Sequence, residues 1–131
     1  MTGLCRRLIT ALALAGTLVL AACGYGDDIA AVKKAETLPG KNNEVLVNDL
    51  AGAHGSVDWT GSKPDRFKDT EIVLVTATIK QIGRSGKEHH LVFDFVNNRQ
   101  TQKVGIDRVL VDGEEQNLLT LPFNLIKLQL D

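Results

Sequence analysis

Hydrophobic and polar positions change period several times along this chain of 131 residues. From residue 8 to residue 20 there is no period, because the run is apolar or small throughout and only Thr10 and Thr17 interrupt it. Residues 24–28 follow with two glycines and two acids, a composition with little to bury that predicts a short tether. Residues 29–35 are apolar enough to join a fold, as an edge strand or one helical turn. Leu38-Pro39-Gly40-Lys41-Asn42-Asn43 punctuates the chain as a turn, with Asn available to cap a helix. Over residues 44–54, Leu46, Leu50 and Ala53 stand at i, i+4 and i+7, which predicts a helix, and Gly55 is its expected stop.

Beyond Gly55 the period moves towards two. Val57-Asp58-Trp59 alternates as a short strand, and Gly61, Pro64 and Asp65 turn the chain. Residues 70–82 form the strongest strand pattern, rich in β-branched side chains. Val73, Val75, Ala77 and Ile79 share one face, and Ile72, Leu74, Thr76 and Thr78 the other. Both faces are largely apolar at one end, so this strand is expected to be central. Gly83-Arg84-Ser85-Gly86-Lys87 reads as a hairpin turn. His89, Leu91, Phe93 and Phe95 then share a face, opposite His90, Val92, Asp94 and Val96. Asn97-Asn98-Arg99 turns again, residues 103–111 make a further strand, and Asp112-Gly113 closes it with a strong turn dipeptide.

No crossover long enough for parallel pairing separates these strands, so the pattern predicts an antiparallel meander. Residues 118–130 fit either class. Leu121, Leu125 and Leu128 suit a helix with Pro122 in its first turn, whereas Leu121, Phe123 and Leu125 suit a strand. The helix packed over the sheet is the favoured reading. The expected fold is therefore α+β: a four-stranded antiparallel meander sheet with one or two helices packed on one face.

The opening run changes the picture from fold to address. Arg6 and Arg7 precede it without any acid, and Ala21 and Ala22 follow it before a cysteine. A spanning helix needs about 20 apolar residues, whereas this run matches the shorter apolar core of a secretory signal behind a basic start. Leu20-Ala21-Ala22-Cys23 resembles the lipobox of bacterial lipoproteins. That resemblance implies that residues 1–22 are a cleaved signal peptide and that the Cys23 thiol carries a diacylglycerol. It also implies that Cys23 becomes the first residue, able to take a third acyl chain on its amine. Two or three chains anchor stably where one binds only marginally. Asp at the position after the cysteine retains such proteins in the inner membrane of enterobacteria. Gly24 there implies the outer membrane of a two-membrane cell, with the domain facing the periplasm. On this reading residues 23–28 are the lipidated N-terminus and tether, and residues 29–131 a single domain.

A second resemblance covers most of the remaining chain. Val32-Lys33, Leu38, a helix near residue 46, Trp59, the strand over residues 72–79, and Asp112-Gly113-Glu114 with Asn117-Leu118-Leu119 resemble a family of small bacterial exported or membrane-attached α+β domains. The family shares an order of elements and implies no activity.

Charge and cysteine usage narrow the function classes. The chain has 15 basic and 16 acidic residues, and loss of Arg6 and Arg7 with the signal leaves 13 against 16. A mild negative charge without a basic run argues against nucleic acid or anionic lipid as the main partner. Cys5 departs with the signal and Cys23 takes lipid, so no disulfide, thiol nucleophile or zinc–cysteine site is expected.

The remaining chemistry is sparse. His89 and His90 are adjacent on a strand and point to opposite faces, so they do not form a metal pair; an unremarkable position at the sheet edge is expected. Asp58, Asp94, Asp107 and Arg108 read as solvent-facing strand residues, with Asp94 and Arg108 able to pair across strands. Ser56 and Ser62 lack a nucleophile-elbow setting. Gly83 and Gly86 bracket a turn and not a phosphate loop. Trp59 is expected in the core, or else as a partly exposed anchor for a partner. No metal and no cofactor are expected. The reading that follows is a non-enzymatic envelope lipoprotein whose domain binds another envelope protein, with loops 60–69 and 83–88 offering contacts. The alternative is a small-ligand or envelope-stress binding domain with a pocket between helix and sheet.

Overall fold

In the computed structural model the described chain runs from residue 17 to residue 130, and for residues 17–23, 126, 127, 129 and 130 only the backbone is described. The basic start and much of the apolar run, residues 1–16, lie outside it. Helix α1 (Thr17–Lys34) leads to α2 (Asn43–Ala51), then strand β1 (Ser56–Ser62) and a 3₁₀ turn (Asp65–Phe67). Strands β2 (Ile72–Ile82), β3 (Glu88–Asn98), β4 (Lys103–Val111) and the two-residue β5 (Glu114–Glu115) follow, and α3 (Leu121–Leu130) ends the chain. The sheet order is β1-β2-β3-β4-β5, with every neighbour antiparallel.

The α+β meander is as the alternation implies, with one strand more than four. Asp112 (φ 49°) and Gly113 (φ 87°) are both left-handed, the geometry of a two-residue hairpin turn. The dipeptide therefore starts a new strand as well as ending one: Glu114 and Glu115 pair with Val111 and Leu110.

The inward face of the sheet is the one the pattern marks. Val73, Val75, Ala77 and Ile79 on β2 and Leu91, Phe93 and Phe95 on β3 are fully buried. On β4 the alternation slips. A bulge between Asp94 and Phe95 of β3 leaves Asp107 unpaired, so Phe95 faces Ile106 while Phe93 faces Val109. The extra residue lets Ile106 and Val109 both turn inward despite their odd spacing. Val32 of α1, Val47, Leu50 and Ala51 of α2, and Leu121 and Leu125 of α3 join the same core, so three helices cover one face.

Three local expectations need correction. Residues 24–28 are not a tether but part of α1, with Tyr25 packed on the core and Asp28 only 3 % exposed. Their small and acidic composition hid this because Asp28 is buried through a charge partner distant in sequence. The same helix absorbs residues 29–34, neither an edge strand nor a single turn. Helix α2 turns inward on Val47 with Leu50, leaves Leu46 half-buried, and stops at Gly52 (φ 74°), so Ala53 lies beyond it, exposed. Its start agrees with the turn chemistry: Asn42 caps it, accepting from the Val45 amide at 2.8 Å.

Gly55, expected as that stop, has a different job. A Cβ there would lie 2.1 Å from the Ala51 carbonyl oxygen and 2.2 Å from that of Lys80. Both obstacles are backbone, so the entry to β1 cannot give way cheaply. Gly55→Ala is expected to destabilise by about 2–3 kcal/mol, the upper range for overpacking. Gly26→Ala, in a helical position with nothing within 4 Å of the new carbon, is expected to stabilise by about 0.5–1 kcal/mol. Denaturant melts of the two variants check both signs.

Candidate functional site

Cys23 lies within α1, so the side chains that hold this helix decide how any group on Cys23 would sit against the domain. Two residues on, Tyr25 packs across β1: a Cβ on Gly61 would lie 2.3 Å from the Tyr25 Cβ. Only glycine at position 61 admits so close an approach. One turn later Asp28 is buried against the end of β3. Its Oδ1 accepts from Asn97 Nδ2 at 2.8 Å and Arg99 Nε at 3.1 Å, and its Oδ2 accepts from Arg99 Nη2 at 2.7 Å. Burial pushes the Asp28 carboxyl upward, but the hydrogen bonds from Arg99 and Asn97 and the Arg99 charge outweigh it and hold the group below its ordinary value. At the far end of α1, buried Asn43 donates to the Val32 carbonyl oxygen at 2.8 Å and accepts from the Thr37 hydroxyl at 2.6 Å. That satisfies a helix-terminal carbonyl and fixes the join to α2.

Trp59 belongs to this seat. It is half-buried, its ring lies 6.0 Å from that of Phe95, and Lys33 Nζ lies 5.5 Å from its centroid. The ring is thus packed beneath α1, with a cation over its outer face. Among the described residues, the large apolar side chains left most exposed are Leu119 (87 %), in the turn before α3, and Phe123 (72 %), on α3. They stand four residues apart, a spacing visible in the sequence but masked there by the competing strand pattern.

The histidines separate as strand geometry requires: His89 is buried and His90 exposed. Neither is at an edge, since β3 is the middle strand. His89 Nδ1 donates to Asp112 Oδ2 at 2.8 Å, and the His90 amide donates to Asp112 Oδ1 at 2.9 Å. These bonds, that from His89 foremost, hold the Asp112 carboxyl below its ordinary value. Gln81, paired with His89 across the strands, is also buried on the core side.

On the opposite face of the sheet Asp94 is not solvent-facing but 3 % exposed. It accepts from Arg108 Nε at 2.7 Å and from the Thr76 hydroxyl at 2.7 Å. The expected cross-strand pair is present, and flanking strands bury its acid. Asp107, displaced by the bulge, accepts instead from Arg66 Nη2 at 2.7 Å. Asp58 is exposed on edge strand β1, as are Ser56 and Ser62. Among the described residues, no three His, Cys, Asp or Glu side chains cluster so as to hold a metal ion. Among them, too, no helix is long and apolar enough to cross a membrane. The chain matches no protein-family model, no curated protein and no solved structure.

Proposed function

We propose that this protein is a bacterial envelope lipoprotein, cleaved before Cys23 and lipidated there, whose domain serves as a non-enzymatic binding or assembly-accessory module. The observation that carries the reading is the order of signals: Arg6-Arg7, the apolar run, then Leu20-Ala21-Ala22-Cys23. Two or three acyl chains would hold the chain at a membrane without a spanning helix. Gly24 favours the outer membrane and a domain facing the periplasm. The space between helices and sheet is filled by Val32, Val47, Leu50, Phe93 and Phe95, which favours a partner on the surface over a ligand in the interior. Exposed Leu119 and Phe123 suit such a contact better than Trp59, whose ring is already engaged by Phe95 and Lys33.

Cys23→Ala tests the anchor. The wild-type chain is expected to incorporate labelled palmitate and sediment with membranes, and the variant to lose the label and remain unprocessed. A variant that is still labelled and cleaved would sink the reading. For the partner, purification of the wild type and of Leu119→Ser/Phe123→Ser after mild solubilisation is compared by mass spectrometry. A stoichiometric envelope protein retained by the first and lost by the second is expected.

A further inference from the structure

We infer that one end of the sheet, formed by the connections over residues 63–71 and 99–102, is the surface this protein lays against a lipid bilayer. This rests on lipidation at Cys23 and adds what that site alone does not supply, the orientation of the domain. The strand register brings Ser62, Ile72, Asn98 and Lys103 to one end of the sheet. The two connections that leave there are joined by the Arg99 amide, which donates to the Glu71 carbonyl oxygen at 2.9 Å.

Helix α1 is fastened at this same end. Tyr25 lies against Gly61, next to the last residue of β1, and Asp28 is locked to Arg99. Tyr25 is two positions from Cys23, a reach of about 7 Å even when fully extended. The acyl chains therefore leave the domain beside these connections, with no slack to let it tumble. The opposite end, with the 83–87 turn, lies about 33 Å away along β2.

Charge does not compete with this placement. Arg66 is paired with Asp107 and Arg99 with Asp28, which leaves Lys63, Lys68 and Lys103 beside Asp65, Asp69 and Glu71 on the same end. The balance requires no anionic headgroup, so the contact is set by the anchor and should survive high salt.

The test uses the full-length lipoprotein carrying one spin label, at Thr101→Cys or Ser85→Cys, both exposed turn positions. Cys23 is taken up by lipid, so each label is unique. Intact mass is measured first, and the proteins are then placed in phosphatidylethanolamine/phosphatidylglycerol vesicles with a nickel-chelating headgroup lipid as relaxant. The expected result is an acylated mass for both, with several-fold stronger relaxation at 101 than at 85, unchanged in 0.5 M salt. Acylated protein relaxing equally at both positions, or more at 85, overturns the orientation and leaves lipidation standing. A mass without acyl chains overturns both. Insertion of about twelve Gly/Ser residues after Gly24, a coil of roughly 20 Å, is expected to abolish the difference. Persistence of the difference with that insertion would show that the anchor does not set the orientation.

Discussion

Phe95→Ala is expected to destabilise the protein by about 3–5 kcal/mol, the range for removing a buried aromatic ring, and to lower Tm by roughly 15–20 °C. Phe95 is fully buried on the middle strand, and its ring lies between Trp59 at 6.0 Å and Phe93 at 5.9 Å. It links Trp59 on β1 to Phe93 on β3 within the one core. Its loss removes more than transfer free energy, because two stacked contacts go with it and pairs of this kind add about 0.5–1.5 kcal/mol each. Collapse into the gap is restricted on the sheet side, where Phe95 is flanked by Val75 and Ile106 in register. Phe123→Ala serves as the contrast. That ring is 72 % exposed, and its removal is expected to change stability by less than about 0.5 kcal/mol. The fluorescence of Trp59, the single tryptophan, follows both denaturation curves. A cost for Phe95→Ala no larger than for Phe123→Ala would mean that the aromatic stack does not organise the core.

The period-two pattern made β2 and β3 legible residue by residue, because a strand with one buried face must alternate. Val73, Val75, Ala77 and Ile79, and His89, Leu91, Phe93 and Phe95, turn inward as their spacing requires. Capping chemistry made Asn42 legible, whereas the leucine spacing favoured a helix at α3 without displacing a strand pattern over the same residues. What stayed hidden depends on partners far apart in the chain. Asp28 looks like a solvent-loving tether residue until Arg99, 71 positions away, is placed beside it. The Asp107 bulge breaks the alternation of β4 for a reason that only pairing with β3 reveals. Gly61 looks like a turn glycine, yet it sits in β1 because Tyr25 must approach it. For the candidate site, the proposed anchoring motif occupies consecutive residues at 20–23. The seat of α1 depends on residues 25, 61 and 99, which no local pattern brings together.

Arg99→Ala is expected to cost about 2–4 kcal/mol near neutral pH, more than Asp28→Asn at about 1–2 kcal/mol, although both break the same pair. The asymmetry follows from burial: the Arg99 side chain is 44 % exposed and the Asp28 side chain only 4 %. Without its carboxylate partner the guanidinium can turn to water. Without the guanidinium the carboxylate stays buried, with Asn97 Nδ2 as its remaining side-chain donor. The pH dependence separates this mechanism from a simple loss of packing. In the wild type the Asp28 carboxyl is held below its unfolded value, so its contribution is complete above the unfolded value and is lost as pH falls through the folded one. In Arg99→Ala the upward push of burial is opposed only by Asn97 and the local backbone, so the folded value rises. Protonation then relieves the unpaired charge, and the gap to wild type should narrow as pH is lowered from 7 towards 4. Denaturant melts at several pH values measure that gap, and a gap constant with pH would rule out an unpaired Asp28 charge as its source. The same substitution bears on the proposed membrane placement, since it loosens the turn of α1 that follows Cys23 while leaving residues 20–23, the proposed lipidation motif, unchanged. Lipid attachment should persist in Arg99→Ala, and the difference in relaxation between labels at 101 and 85 should shrink.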